Sequence, residues 1–146
     1  MIIEQTTDNK LIHHILSMEG IAETISEPGD AIPTEFSHGS HMFLVGLTDD
    51  EVVGLLIVHN TSLGVPQLHI QVVPKHRKEH AIQFGEASLE WLWGNLVNDK
   101  YMALIPEIYP NVKRYAEAIG LKKEGFLTNT FRVKQGQWLM AKSRGK

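Results

Sequence analysis

The chain has 146 residues, 42% hydrophobic and 21% charged, which is enough to bury one core and too ordinary a composition for disorder. Its 14 basic and 17 acidic residues leave a net charge of -3, which argues against the strongly basic surface that bulk nucleic-acid binding needs. Without cysteine there is no disulfide framework, thiolate metal site or thiol nucleophile, and no basic segment leads into an apolar run of signal-peptide or membrane-spanning length.

Met1 to Gln5 opens apolar and reads as a first strand. Thr7 and Asp8 are good helix caps, and Leu11, Ile12, Ile15, Leu16 and Met18 recur at helical spacing, predicting a helix over 9–18. Ile21 to Ile25 extends it or forms a second short helix, and Glu27-Pro28-Gly29-Asp30 breaks the chain. His41 to Leu47 and Val52 to His59 are apolar runs around the polar turn Thr48-Asp49-Asp50-Glu51, so they predict an antiparallel hairpin. Leu68 to Val73, rich in β-branched residues, adds a third strand to this meander. Leu68, Ile70 and Val72 alternate there with His69 and Gln71, giving one apolar and one polar face.

Val72-Val73-Pro74-Lys75-His76-Arg77-Lys78 then runs from a buried strand through a basic turn into a long helix over 79–97. Ile82, Gly85, Leu89, Leu92, Trp93 and Leu96 form one predicted stripe, and Phe84, Ala87 and Trp91 form a second, so the helix is expected to be covered on more than one side. A helix N-terminus presents unpaired N–H groups to an anion. Basic side chains are unfavourable against the helix dipole unless an anion sits there, so Lys75, Arg77 and Lys78 read either as a phosphate cradle or as a solvated turn. His76 and His80 are four apart, but no third ligand is evident and no metal site is expected. Tyr101 to Ile105 is a short buried strand. Pro110 to Ile119 is a helix with Pro at its start and Gly120 at its end. Lys123 to Val133 and Gln137 to Ala141 make a hairpin turning at Gln135-Gly136, and Lys142 to Lys146 is a basic tail expected to fray. The predicted order is β, α (one or two), βββ, α, β, α, ββ in a single α/β (α+β) domain over 1–146.

Three local patterns carry a resemblance to a known family. Val72-Val73-Pro74-Lys75-His76-Arg77 is similar to the V-x-P-x-x-R passage of the GNAT superfamily, the Gcn5-related N-acetyltransferases. Ala118 to Phe126 resembles the family's Leu-Gly-Phe passage out of its fourth helix, and Val133-Lys134-Gln135-Gly136-Gln137-Trp138 resembles its closing hairpin. The resemblance implies a mixed, mostly antiparallel twisted sheet flanked by helices. It also implies a split between the strands at 68–73 and 101–105 that takes acetyl-CoA as co-substrate, and direct transfer of the acyl group to an amine.

Under that resemblance, Val72 and Val73 offer backbone to the pantetheine arm. Arg77, Lys78, Glu79, His80, Ala81 and Ile82 form the pyrophosphate loop, and Asn111 adds a cofactor contact near Tyr109, where the family has Asn. His69 and Gln71 relay a proton from the acceptor amine. Glu107 and Tyr109 bind acceptor or hold the thiol, and Tyr115 is a general acid one residue from the family's Tyr position, here Ala116. His80 and Ile82 stand where the family has small residues. Such departures resemble those of degenerate GNAT-like proteins of tailed bacteriophages, which implies a second reading as a non-catalytic virion, assembly or protein-interaction module. The expected partners are an acyl-CoA and an unidentified amine, with neither nucleic acid nor membrane. A homodimer is left open. The expected location is the cytoplasm, or a virion under the second reading.

Overall fold

The computed structural model describes residues 1–25, 30–62, 64–131 and 134–145. The predicted Glu27-Pro28-Gly29 break, Val133 and the end of the tail at Lys146 lie outside them. The elements run β1 (Ile2–Thr6), α1 (Asn9–Leu16), α2 (Ala22–Ile25), β2 (His41–Thr48), β3 (Glu51–His59), β4 (Gln67–Val72), a 3-10 turn (Pro74–His76), α3 (Arg77–Asn95), β5 (Lys100–Pro106), α4 (Pro110–Ala118), β6 (Lys122–Phe131) and β7 (Gln135–Ser143). The seven strands form one sheet in the order β1-β2-β3-β4-β5-β7-β6. Every neighbouring pair is antiparallel except β4–β5. This is the mixed, mostly antiparallel sheet flanked by helices that the family resemblance implies.

Each face of the sheet carries a core. On one face, α3 and α4 cover Leu44, Val53, Leu56, Val58, Leu68, Val72, Tyr101 and Ile105. On the other, Ile12, Ile15, Leu16 and Ile21 pack on Phe43, Val45 and Leu55. Asp8 caps α1 by accepting from the backbone N–H groups of Lys10 and Leu11 at 3.1 and 3.2 Å. The helix predicted over 9–18 stops at Leu16, with Ser17 as its C-cap.

The long helix buries parts of both predicted stripes and leaves Ile82 out. Its buried residues are Phe84, Gly85, Ser88, Leu89 and Leu92, while Ile82 is 43% exposed. Phe84 sets this rotation. Its ring lies against Gly46 of β2 and Gly54 of β3, which face each other across the strand pair. A Cβ at either glycine would come within 2.5 Å of the ring. Glycine in these strands therefore marks a close approach.

Two further expectations are corrected. Gln135 and Gly136 are not the hairpin turn; both belong to β7, and Gln135 pairs with Phe131. Gly136 is glycine because a Cβ there would stand 2.5 Å from the Leu127 carbonyl and the Phe126 ring. The basic tail does not fray at its start. Lys142 and Ser143 pair with Tyr101 and Lys100 of β5. Arg144 donates to the carbonyls of Trp93, Leu96 and Asn98 at 2.9–3.0 Å. Those of Trp93 and Leu96 are carbonyls that the helix end leaves without partners and that favour a cation, and that of Asn98 belongs to the loop beyond it.

Candidate functional site

The site begins with a failure of pairing. β4 and β5 run parallel, but their ladder consists of one pair, Gln67 with Met102, supported by the Met102 N–H donating to Pro66 at 3.0 Å. On its other edge β4 pairs with β3 continuously from Gln67 to Val72. Beyond Gln67, the β4 edge that faces β5 has no strand partner. The two parallel strands splay toward their C-terminal ends, and a split opens between them. An unpaired strand edge exposes backbone donors and acceptors to whatever enters. No metal-ligating group of three or more side chains occurs among the described residues.

At the open end, β4 passes into the 3-10 turn and α3. The helix starts at Arg77, two residues earlier than predicted, so Lys75 and His76 belong to the turn and Arg77 and Lys78 to the first helical turn. The cations of this stretch are largely occupied. Lys75 pairs with Glu51 on the β2–β3 hairpin, and His76 lies 3.3 Å from the same carboxylate. Hydrogen bonding from Lys75 holds the Glu51 carboxyl below its ordinary pKa. Arg77 donates from Nε to the Val72 carbonyl at 3.1 Å and from Nη2 to the Gly20 carbonyl at 2.7 Å. The expected phosphate ligand thus ties the end of β4 to the turn between α1 and α2. Gly20 has φ +91, and a Cβ there would stand 3.2 Å from Pro74, so the contact needs glycine twice over. Glu23 accepts from the Gly20 N–H at 2.7 Å on the other side. Lys78 is exposed and makes no ion pair or hydrogen bond among the described residues.

His80 sits in the first turn of α3, with Nδ1 3.4 Å from Gln83 and Nε2 3.9 Å from Glu79. Its ring is 5.4 Å from that of His76, so the two histidines share a face. Ile82 is exposed one turn further on. Tyr115 is held against α3. Its hydroxyl donates to the Ala81 carbonyl at 2.6 Å, and burial drives its pKa far up. Gly85 lets α4 approach, since a Cβ there would meet the Tyr115 hydroxyl at 2.5 Å. A phenol so engaged clasps two helices and is a poor proton donor to a leaving thiolate.

Glu107 and Tyr109 follow β5, on the far side of the split. Glu107 is exposed, and its N–H donates to Gly136 at 3.0 Å. Tyr109 precedes α4, with its ring edge-on to Phe131 at 6.4 Å. Asn111, in the first turn of α4, accepts from Arg114.

His69 and Gln71 lie on the β4 face turned toward the α1 side, opposite Leu68, Ile70 and Val72. His69 is open to solvent at its edge, yet the surrounding wall depresses its pKa. Desolvation is the largest cause, followed by His59 and then His41. Neither of those two histidines carries a predicted catalytic or cofactor role. They face each other across β2 and β3, with rings stacked 4.2 Å apart at 4°.

No protein-family model matches the chain, and no curated protein matches it in sequence. Solved structures do match in fold. The chain superposes with a TM-score of 0.79 on spermidine N-acetyltransferase from Vibrio cholerae in complex with CoA and spermine, at 18% identity, covering 99% of this chain and 96% of that one. It matches a GNAT-family acetyltransferase from Bacillus anthracis with a TM-score of 0.72 at 15% identity, covering 97% and 93%. It also matches the ribosomal-protein-S5-alanine acetyltransferase from Vibrio fischeri with a TM-score of 0.62 at 13% identity, covering 75% and 64%. The fold is therefore that of GNAT acetyltransferase structures.

Proposed function

We propose that the protein is an acyl-CoA-dependent N-acyltransferase that moves an acetyl group from acetyl-CoA to an amine by direct attack. The observation that carries this reading is the split, in which a parallel strand pair joins at Gln67 and Met102 only and leaves the rest of one β4 edge unpaired. The likeness to a structure holding CoA and spermine supports it. Acetyl-CoA supplies the activated acyl group, and the chain supplies position and proton handling. The unpaired backbone of β4 ending at Val72 and Val73 would hold the pantetheine arm. The first turn of α3, with Lys78, Glu79, His80, Ala81 and Ile82, would receive the pyrophosphate, and Asn111 lies on the neighbouring helix. A free amide of β4 is the natural donor to an oxyanion.

His69 is the base in this reading. Its lowered pKa keeps the imidazole neutral near pH 7, able to take the proton that the amine loses as its C–N bond forms. Gln71, two residues along the same face, orients the amine or a bridging water. The C–S bond breaks as the intermediate collapses, and the CoA thiolate then takes up a proton. Tyr115 is committed to Ala81, so Tyr109 and solvent at the open end are the donors that remain, with Glu107 beside the acceptor.

The exposed Ile82 and the engaged Arg77 favour a second reading, a GNAT-like protein-interaction module without catalysis. Thermal melting separates the two. A ligand that binds the native state at 100 times its Kd adds about 2.7 kcal/mol, so CoA at millimolar concentration is expected to raise Tm by several degrees. An unchanged Tm, with calorimetry showing no heat of binding, removes the enzyme reading and leaves the module.

A further inference from the structure

The β2–β3–β4 wall beside the split is built from imidazoles. His41 begins β2, His59 ends β3 and lies directly opposite His41, and His69 on β4 lies on the same face, diagonal to His59. His41 and His59 are half-buried and His69 is exposed, so all three are reachable from solvent. The ring nitrogens of His59 and His69 have no protein hydrogen-bond partner among the described residues. His41 uses Nδ1 on the Ser40 hydroxyl at 2.8 Å and also contacts the Ser37 backbone.

What surrounds them is equally informative. From the loop before β2, His38 turns its Nε2 to Asn9 and its ring to Phe43. Phe36 packs on Phe43 from the same side. Gln67 and Gln71 flank His69 on β4. Among the described residues no carboxylate pairs or hydrogen-bonds with any of the three histidines, and no lysine or arginine does either. The charges that His41 and His69 respond to are those of neighbouring imidazoles.

We propose that this imidazole wall binds an anionic group of the acceptor, so that the acceptor is an amine that also carries a carboxylate or a phosphate rather than a polyamine. The inference rests on the acyltransferase reading for the identity of the acceptor, but the anion site stands on the wall alone. A neutral imidazole offers one N–H donor, and a protonated one offers two donors and a charge. The stacked rings of His41 and His59, from adjacent strands, can be met by one anion, while His69, diagonal to them, is left to the amine. A second cationic end, by contrast, would find no carboxylate on this wall and would meet its own sign of charge whenever a histidine protonates. When the wall is empty, burial and the neighbouring His59 hold the His41 pKa below its ordinary value. A bound anion raises it, so binding takes up protons and tightens as pH falls through the ordinary histidine value of about 6.5.

Two measurements test this. The first follows the histidine proton resonances by NMR from acid to neutral pH in sodium sulfate and in sodium chloride of equal ionic strength. The resonances of His41 and His59 are expected to shift about half a pH unit higher in sulfate, the mark of threefold tighter anion binding by the protonated pair. His13 and His14 on α1 should not move. Equal shifts in all eight histidines, or none, overturn the site. The second compares ε-aminocaproate with hexamethylenediamine, matched amines that end in opposite charges, as acceptors of acetyl from acetyl-CoA. The carboxylate is expected to be preferred about tenfold in kcat/KM near pH 6.5, and His59→Gln and His41→Gln, each with wild-type Tm, are expected to bring the ratio near one. Preference for the diamine overturns the acceptor class. Should neither amine react while CoA still raises Tm, the sulfate titration decides. Should CoA itself fail to bind, the acyltransferase reading falls while the sulfate titration still judges the anion site.

Discussion

The basic junction at Pro74–Ile82 and the imidazole wall of β2–β4 are opposites. The junction is conspicuous in sequence, a run of Lys and Arg at a helix start. In the fold its charges are mostly engaged: Lys75 with Glu51, and Arg77 with the carbonyls of Val72 and Gly20. The wall is inconspicuous in sequence, three histidines spread over 41–69. In the fold it is open, unpaired in charge, and gathered on one face. A charged motif therefore says less about binding than the number of its donors left free once the chain has folded.

The largest test of this contrast is Arg77→Ala. If the guanidinium is a brace, the variant loses two hydrogen bonds from a charged donor, partly exposed, and should unfold about 1 kcal/mol more easily in urea. Amide exchange should quicken in the turn at residues 17–21, and CoA affinity should fall less than threefold. A tenfold loss of CoA affinity with unchanged stability would show instead that Arg77 leaves its carbonyls for the phosphate.

Glu51→Gln is the next test. It frees Lys75 and His76 from the hairpin and adds positive field to the junction. CoA should then bind about threefold more tightly at low salt, with the gain screened away near 0.5 M salt. Calorimetry at two ionic strengths reads this, and unchanged affinity would place both side chains outside the reach of the phosphate.

The smallest expected effect belongs to the wall. His41 and His69 have folded-state pKa values below the ordinary one. The unfolded chain therefore binds more protons than the folded one as pH drops below about 6.5, and stability falls in that window, levelling out below the folded values. The urea midpoint should decline modestly between pH 7.5 and 5.5, and His59→Gln should flatten that decline by removing the stacked partner. An identical slope in the variant would mean that the stack does not set the titration.

The element order was readable because periodicity survives in nearly every segment, from the alternation of β4 to the helical spacing of α1. The site was readable where it depends on local sequence, as in the strand-to-helix junction. It was not readable where register decides. β3 carries one extra residue at Val53, between the pairs Gly46–Gly54 and Leu47–Val52. Counting evenly outward from the Asp49-Asp50 turn would set His41 opposite Val58, and the bulge is what brings His59 there. Gly136 was misread as a turn because glycine permits both a turn and a close approach, and only the neighbouring Phe126 distinguishes them. The tail is ordered because the partners of Arg144 are backbone carbonyls of a helix end and the loop after it, which no side-chain pattern announces. Helical spacing places Ile82 on one apolar stripe and Phe84 on the other, and spacing alone does not say that the Phe84 ring, seated on Gly46 and Gly54, turns Ile82 toward solvent.

Phe84 has a wider effect than its own packing. Its ring seats on the paired glycines of β2 and β3, the two strands that carry His41 and His59 on the opposite face, while its helix carries the junction at its first turn. The two regions contrasted here thus share one mechanical datum. A larger residue at Gly46 or Gly54 would shift one region relative to the other without touching a single group in either, and under the proposed reading would change the distance between the acceptor's anionic group and the thioester of acetyl-CoA.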